Sequence, residues 1–502
     1  MFRTAELQRK LSKDDYHKQV LQLRQELLMT QVELRKANFP VIVVFAGVDG
    51  AGKGETVNKL HEWMDSRWLI TRAFGEPSDE ERDRPEYWRF WRDLPPKGRI
   101  GFFLSSWYSV PILDHVYGKI SPAEFDERLR RIKAFEKTLA DDGALILKFW
   151  MHFSKDANKK RLKKLEKNPL LNWQVSDIDW RHWELYDQFI AAAEQTLMKT
   201  STGLAPWKIV EGYDPRYRSV TVASIIRDAI RFRLGEIQSE SLSDNSNTSY
   251  HTNLLSPDLG DASAVTILSR LDMDKMLSRA DYNAGLKQYQ AKLNQLAHTA
   301  RQRKLSTLLV FEGWDAAGKG GCIRRITTAL DARDYQVIQI AAPTDEEAAH
   351  NYLWRFWRHL PRAGRVTIYD RSWYGRVLVE RIEGFAKPQE WLRAYTEIND
   401  FEAQLVESGI VLLKFWMHIT PEEQLERFKE REQTPYKSWK LTDEDWRNRE
   451  RWGDYEIAVN DMVERTSTRQ APWTLIAANS KLYARVEVLR TICQRLEACL
   501  DQ

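Results

Sequence analysis

Gly313, Gly318 and Lys319 stand at the spacing G-x-x-x-x-G-K. In that arrangement backbone N–H groups and the start of a helix surround phosphate oxygens, and the lysine supplies one positive charge. Asp315 places a carboxylate inside the turn, and Gly320 follows where such loops ordinarily carry a Ser or Thr hydroxyl for Mg2+. The stretch therefore predicts phosphate binding through Gly313, Gly318, Lys319 and Gly320, and it needs a metal anchor from elsewhere. Asp315 is one candidate. Asp370 is the other, because it ends the apolar run Val366 to Tyr369, and a carboxylate closing a strand beside a phosphate loop is the Walker-B arrangement. A helix cap is the ordinary alternative use of such an Asp. The missing loop hydroxyl favours the metal role.

Such a loop works only between a strand and a helix, and Thr307 to Phe311 and Cys322 to Leu330 supply both. Further apolar runs, Val337 to Ala341, Val366 to Tyr369, Val411 to Phe415 and Thr474 to Ala477, alternate with helix-length polar or amphipathic segments. This is the pattern of βαβ units and a parallel sheet covered on both faces, an α/β class whose site lies at the carboxyl ends of the strands. The residues that follow the strands then become candidates: Arg355 and Arg358 among aromatics, and Arg371 and Arg376 after Asp370. Further on, Pro421 to Arg431 reads as a helix with Arg427 and Arg431 four apart on one face, followed by Lys437 and Lys440. It fits a lid that closes positive charge over a polyanion. It fits a solvated charged helix equally well, because Glu422, Glu423, Glu426 and Glu430 share it.

The same loop occurs earlier, at Gly47, Gly52, Lys53 and Gly54 after the run Val41 to Phe45. Positions 319 and 53 differ by 266, and that offset also carries Trp354-Arg355 and Trp357-Arg358 onto Trp88-Arg89 and Trp91-Arg92, and Lys414 to His418 onto Lys148 to His152. Two homologous domains in tandem are expected: residues 1–235, a polar linker over 236–264, and residues 265–502. The halves are unequal. Asp49 and Lys53 match Asp315 and Lys319, but Asp370, Arg371, Arg376 and Arg431 become Leu104, Ser105, Val110 and Leu165. The first half is thus a degenerate copy whose role is structural or limited to phosphate binding, packed on the second as a partner subunit would be in a homodimer of single-domain proteins.

Composition sets outer bounds. The chain has 502 residues, 43% of them hydrophobic, enough for two ordinary cores. A net charge of +4 against 76 basic and 72 acidic residues makes no demand for nucleic acid. Cys322, Cys493 and Cys499 have no metal-ligand or disulfide-framework spacing, and neither a signal-peptide core nor a long uncharged apolar run occurs. A cytoplasmic protein without membrane association is expected. Most of the 20 tryptophans, with His152 and His418, are read as packing residues.

The loop Gly-Trp-Asp-Ala-Ala-Gly-Lys-Gly, the segment Leu-Trp-Arg-Phe-Trp-Arg, the motif Asp-Arg-Ser-Trp-Tyr and the strand Lys-Phe-Trp-Met-His together resemble the polyphosphate kinase 2 family, in its two-domain class. The resemblance covers nearly all of both halves. It implies tandem thymidylate-kinase-like P-loop domains with a helical lid, and Mg2+-dependent transfer of the terminal phosphoryl group of inorganic polyphosphate to AMP, with GMP left open as acceptor. It further implies that Asp315 orients the acceptor phosphate and metal, Lys319 holds donor phosphates, Asp370 binds Mg2+ and Arg371 bridges the reacting phosphates, with Arg427 and Arg431 as lid arginines. A donor site lined by Arg355, Arg358, Arg371 and Arg376 would suit a chain charged at every unit. Two other readings stay open: an ATP-dependent nucleoside monophosphate kinase on the same fold, and a non-catalytic P-loop interaction protein. Homo-oligomerisation is open as well.

Overall fold

The computed structural model describes residues 1–244, 266–434 and 443–501. The chain forms two compact units, each built on a five-stranded parallel sheet. In the first, β1 (Val41–Gly47), β2 (Leu69–Ala73), β3 (Ile100–Leu104), β4 (Leu145–His152) and β5 (Trp207–Glu211) take the order β2-β3-β1-β4-β5. In the second, β6 (Thr307–Gly313), β7 (Tyr335–Gln339), β8 (Val366–Asp370), β9 (Val411–His418) and β10 (Trp473–Ala477) repeat it as β7-β8-β6-β9-β10. The expected α/β class with P-loop kinase-like sheets is what the chain adopts.

The central strands explain the order. β6 and β9 are buried almost along their whole length, as their unbroken apolar runs require of strands covered by helices on both faces. β7 lies at an edge, where Gln336, Val337 and Gln339 are exposed. With only one neighbour its apolar residues no longer mark its limits, so it runs Tyr335–Gln339 where the sequence predicts Val337 to Ala341. Long helices cover the sheets: Lys13–Leu34 against Pro215–Asp244 in the first unit, and Arg279–Gln302 against Lys481–Leu500 in the second. Ser12 and Ser278 cap the leading helices by accepting from Asp15 N and Asp281 N, both at 3.1 Å.

The unit boundaries depart from the sequence halves in two ways. Residues expected to begin the linker instead continue the helix Pro215–Asp244; 245–264 lie outside the described residues. In addition, the second unit includes Ser78–Trp88, and the first includes Asp345–Asn351. Within the second unit Arg84 Nε donates to Leu360 O at 3.3 Å and Arg362 pairs with Asp83 at 3.0 Å. Within the first, Lys97 N donates to Ala349 O at 2.9 Å.

Candidate active site

The carboxyl ends of β6 and β8 set the site. Phe311 is in register with Asp370, and Arg371 N donates to Phe311 O at 3.0 Å, so the phosphate loop leaves β6 directly beside the Asp370-Arg371 pair. Gly313 is required at the start of the loop: its φ is +148°, and a Cβ there would lie 2.5 Å from Met417 O on β9. Gly318, at φ +106°, caps the helix Lys319–Ala329. Two residues with side chains, Ala316 and Arg371, also sit at φ 64°, a conformation that costs about 1–3 kcal/mol and persists only where surrounding contacts impose it.

Those contacts are specific. Arg371 Nη2 donates to Asp315 Oδ1 at 3.0 Å, and Asn448 Nδ2 donates to Asp315 Oδ2 at 2.9 Å. Burial works against the Asp315 carboxylate, yet Lys319 and Arg371 outweigh it and hold its pKa below the usual range. For Arg371 burial is likewise overcome, by Asp315, Glu312, Glu444 and Asp370, and the guanidinium stays charged. Burial pulls the Lys319 ammonium pKa downward, with Asp315 opposing. Lys319 Nζ donates to Gly313 O at 2.6 Å and to Trp314 O at 3.2 Å, which folds it back over the loop. Beneath it, Glu312 accepts from Ser372 Oγ at 2.7 Å, and burial raises its pKa.

Asp370 differs from Asp315 in having no ion pair within 4 Å and no side-chain hydrogen bond among the described residues. The helix cap it could have supplied comes from Ser372, whose side chain accepts from Tyr374 N. Asp370 instead lines an open cleft of about 970 Å³ together with Asp315, Gly318, Lys319, Gly320, Arg371 and Arg431.

The structure thus brings Asp315, Lys319, Asp370, Arg371 and Arg431 to one cleft and leaves other expected residues outside it. Arg427 is 3% exposed. It donates to Ala316 O at 2.9 Å, Ala478 O at 2.7 Å, Asn479 O at 2.8 Å and Glu423 Oε1 at 2.6 Å. Arg427 therefore clamps the loop to the helix Pro421–Gln433 and to the end of β10, while Arg431, one turn on, faces the cleft. Arg355 donates to Ala341 O at 3.1 Å, Arg376 pairs with Glu380 at 3.2 Å, and Arg358 lies over the Trp354 ring at 4.4 Å; none of the three lines the cleft around Lys319. Lys437 and Lys440 lie outside the described residues.

Several cleft residues escaped the sequence. Arg324, Arg325 and Arg485 line it, and Asn448 and Gln424 hold Asp315 from positions more than a hundred residues away. A polar residue on a charged helix carries no local signal of such a contact. Arg324 and Arg325 did carry one, because they lie on the first turns after a phosphate loop. Trp314 stacks on Trp452 at 3.6 Å, and burial holds the His418 pKa near 4, so His418, accepting from Trp314 Nε1 at 3.2 Å, is a neutral packing residue as expected.

A parallel sheet in this order, with a phosphate loop after its central strand and a strand-ending Asp-Arg beside it, defines a P-loop kinase-like phosphotransferase architecture. The family model for polyphosphate kinase 2 matches residues 10–237 and again 276–502. The chain belongs to the polyphosphate kinase 2 family. It is 51% identical over 499 residues to the polyphosphate:AMP phosphotransferase of Pseudomonas aeruginosa, covering 99% of both chains, and 47% identical over 498 residues to that of Pseudomonas syringae, covering 99% of this chain and 98% of the other. A crystal structure titled as a polyphosphate kinase 2 from Pseudomonas aeruginosa superposes with a TM-score of 0.88 at 49% identity, covering all of both chains.

Proposed function

We propose that the chain moves the terminal phosphoryl group of inorganic polyphosphate to AMP, giving ADP, and that the second unit carries the chemistry. The observation that supports this most is the convergence of Lys319, Asp315, Asp370 and Arg371 on one cleft at the ends of β6 and β8. Its relatives' names carry the same reaction. An AMP phosphate oxygen is already anionic at neutral pH, so attack on the terminal phosphorus needs no general base. One P–O bond forms, one P–O bond breaks, and the shortened polyphosphate leaves as an anion. What the protein must supply is alignment and neutralisation of charge. In this reading the loop N–H groups and Lys319 hold donor phosphates, Arg371 lies between donor and acceptor, Asp315 fixes Arg371, and Arg431 closes over the chain with Arg324, Arg325 and Arg485.

The residues fit Mg2+. The donors are carboxylate oxygens, the described residues hold no group of three or more metal-ligating side chains, and Asp370 faces the cleft unpaired. Mg2+ is ordinarily held by one or two carboxylates plus substrate phosphates, so Asp370 with Asp315 would hold it. Bound there, it would neutralise charge on the transferring group. No described helix is long and apolar enough to cross a membrane, and the three cysteines are free thiols, which supports a cytoplasmic setting.

The test is a donor-by-acceptor assay on the purified full chain, reading nucleoside diphosphate with polyphosphate or ATP as donor and AMP or GMP as acceptor. ADP from polyphosphate and AMP is expected. Turnover with ATP alone would instead make the protein a nucleoside monophosphate kinase, and none with either donor would make it a non-catalytic member.

A further inference from the structure

The helix Lys155–Glu166 of the first unit and the helix Pro421–Gln433 of the second occupy matching positions in the repeat, and their charges are opposite. The first carries six basic residues against two acidic, with Lys167 at its C-cap. The second carries three basic against five acidic. Within the basic helix the cations divide by face. Lys155 is held by Asp187 at 2.6 Å, Lys159 lies 4.4 Å over the Trp183 ring, and Arg161 is drawn inward, donating to Gly50 O at 2.6 Å and pairing with Glu55 at 3.3 Å. Lys160, Lys163, Lys164 and Lys167 recur at i, i+3, i+4 and i+7, which places them on one stripe. All four are exposed, and none makes an ion pair within 4 Å among the described residues. Neighbouring Glu166 is taken by Trp180 Nε1 at 2.6 Å.

Like charges at these spacings destabilise a helix, so an uncompensated stripe is most favourable when a polyanion lies along it. We infer that Lys160, Lys163, Lys164 and Lys167 form a second docking site for the polyphosphate chain, outside the cleft of the second unit. The inference rests on the proposed function for the identity of the polymer. Lysine suits this partner: its compact ammonium makes point-charge contacts with any phosphate that passes, whereas base recognition calls for arginine forks and stacking platforms. A chain held on the stripe keeps its ends concentrated around the protein after each transfer, an effective-concentration gain available only to long polymers.

The test replaces Lys160, Lys163, Lys164 and Lys167 with Gln in the full chain, beside a control in which exposed Lys13, Lys18 and Lys36 become Gln. Thermal unfolding of each variant confirms folding. With long-chain polyphosphate the stripe variant is expected to raise KM on the order of 10-fold at unchanged kcat. Its dependence of log KM on log salt should fall by up to about 3, from about 0.7 per lost contact on a linear polyanion. With tripolyphosphate neither variant should change KM. Equal KM for wild type and stripe variant on long chains would overturn the site, as would an equal rise in the control. Binding of dye-labelled long-chain polyphosphate by fluorescence anisotropy reads the stripe without turnover. If the wild type makes no ADP yet loses polymer binding in the stripe variant, the proposed reaction fails and the docking site stands. Tighter stripe-dependent binding of single-stranded DNA than of polyphosphate would overturn the assignment in favour of nucleic acid.

Discussion

In both units the loop lysine donates to the first loop glycine and to the residue after it. Lys53 reaches Gly47 O at 2.7 Å and Val48 O at 3.2 Å, and Lys319 reaches Gly313 O at 2.6 Å and Trp314 O at 3.2 Å. Arg161 clamps Gly50 O as Arg427 clamps Ala316 O. Ser105 keeps the left-handed backbone, φ 49°, that Arg371 has at φ 64°. Under each motif lies the same buried network: Lys148 on Glu136 at 2.6 Å and Tyr108 at 3.0 Å, and Lys414 on Glu402 at 2.7 Å and Tyr374 at 2.9 Å, with Trp107 or Trp373 completing it. What differs is the layer facing the cleft. Asp370, Arg371 and Arg431 are replaced by Leu104, Ser105 and Leu165. Asp49, no longer facing an arginine, pairs with His182 at 2.6 Å and with Lys53 at 3.5 Å.

The comparison separates two jobs inside one motif. In Asp-Arg-Ser-Trp-Tyr the last three residues are shared by both units, and the Trp and Tyr hold a buried ion pair; the first two occur only in the second unit and face the cleft. The shared clamp, Arg161 on Gly50 O and Arg427 on Ala316 O, marks Arg427 as structural, while Asp370, Arg371 and Arg431 are the cleft residues that the proposed function needs and the first unit lacks.

Substitutions can break or sharpen this division. The largest effect should be symmetric. Lys148→Met and Lys414→Met each strand a buried glutamate and should cost about 3–5 kcal/mol, read by chemical denaturation with hydrogen exchange in β4 and β9. Glu402, whose pKa burial already raises, then binds a proton in the folded state that it lacks when unfolded at the same pH, so the loss should shrink as pH falls. A loss confined to one unit would end the claim of a shared scaffold.

The next effects should be asymmetric. Lys319→Ala should reduce turnover by about 10²-fold or more, the scale for one preorganised charge-stabilising group, whereas Lys53→Ala should leave AMP-dependent polyphosphate consumption nearly unchanged. Equally dead variants would sink the division of labour. Asp370→Asn keeps shape and removes charge, and it should lower turnover by about 10²-fold at unchanged melting temperature; full activity at ordinary Mg2+ concentrations would refute the metal role.

The smallest difference lies within one helix. Arg431→Leu should cost about tenfold in kcat/KM, as for one charged hydrogen bond, with little change in Tm. Arg427→Leu should lower Tm first, because it leaves the Ala316, Ala478 and Asn479 carbonyls and Glu423 without their donor. Matching melting losses in the two variants would erase the distinction drawn between them.

Sequence alone determined the two-fold repeat, the parallel α/β class, the phosphate loops, the Walker-B position of Asp370 and the loss of charge from the first half. Each of these is written in local order: an apolar run, a glycine spacing, a residue type at a fixed offset. Tertiary structure alone decided which arginines face the cleft. Arg427 and Arg431 are one turn apart on the same helix, and only the approach of the Ala316, Ala478 and Asn479 carbonyls turns one into a buried clamp and leaves the other facing the cleft. Arg355 and Arg376 were drawn away by Ala341 O and Glu380, and Asn448 was brought to Asp315 across 133 residues of chain. A guanidinium or amide goes where buried acceptors need donors, and those acceptors come together only when the sheet and its helices have packed.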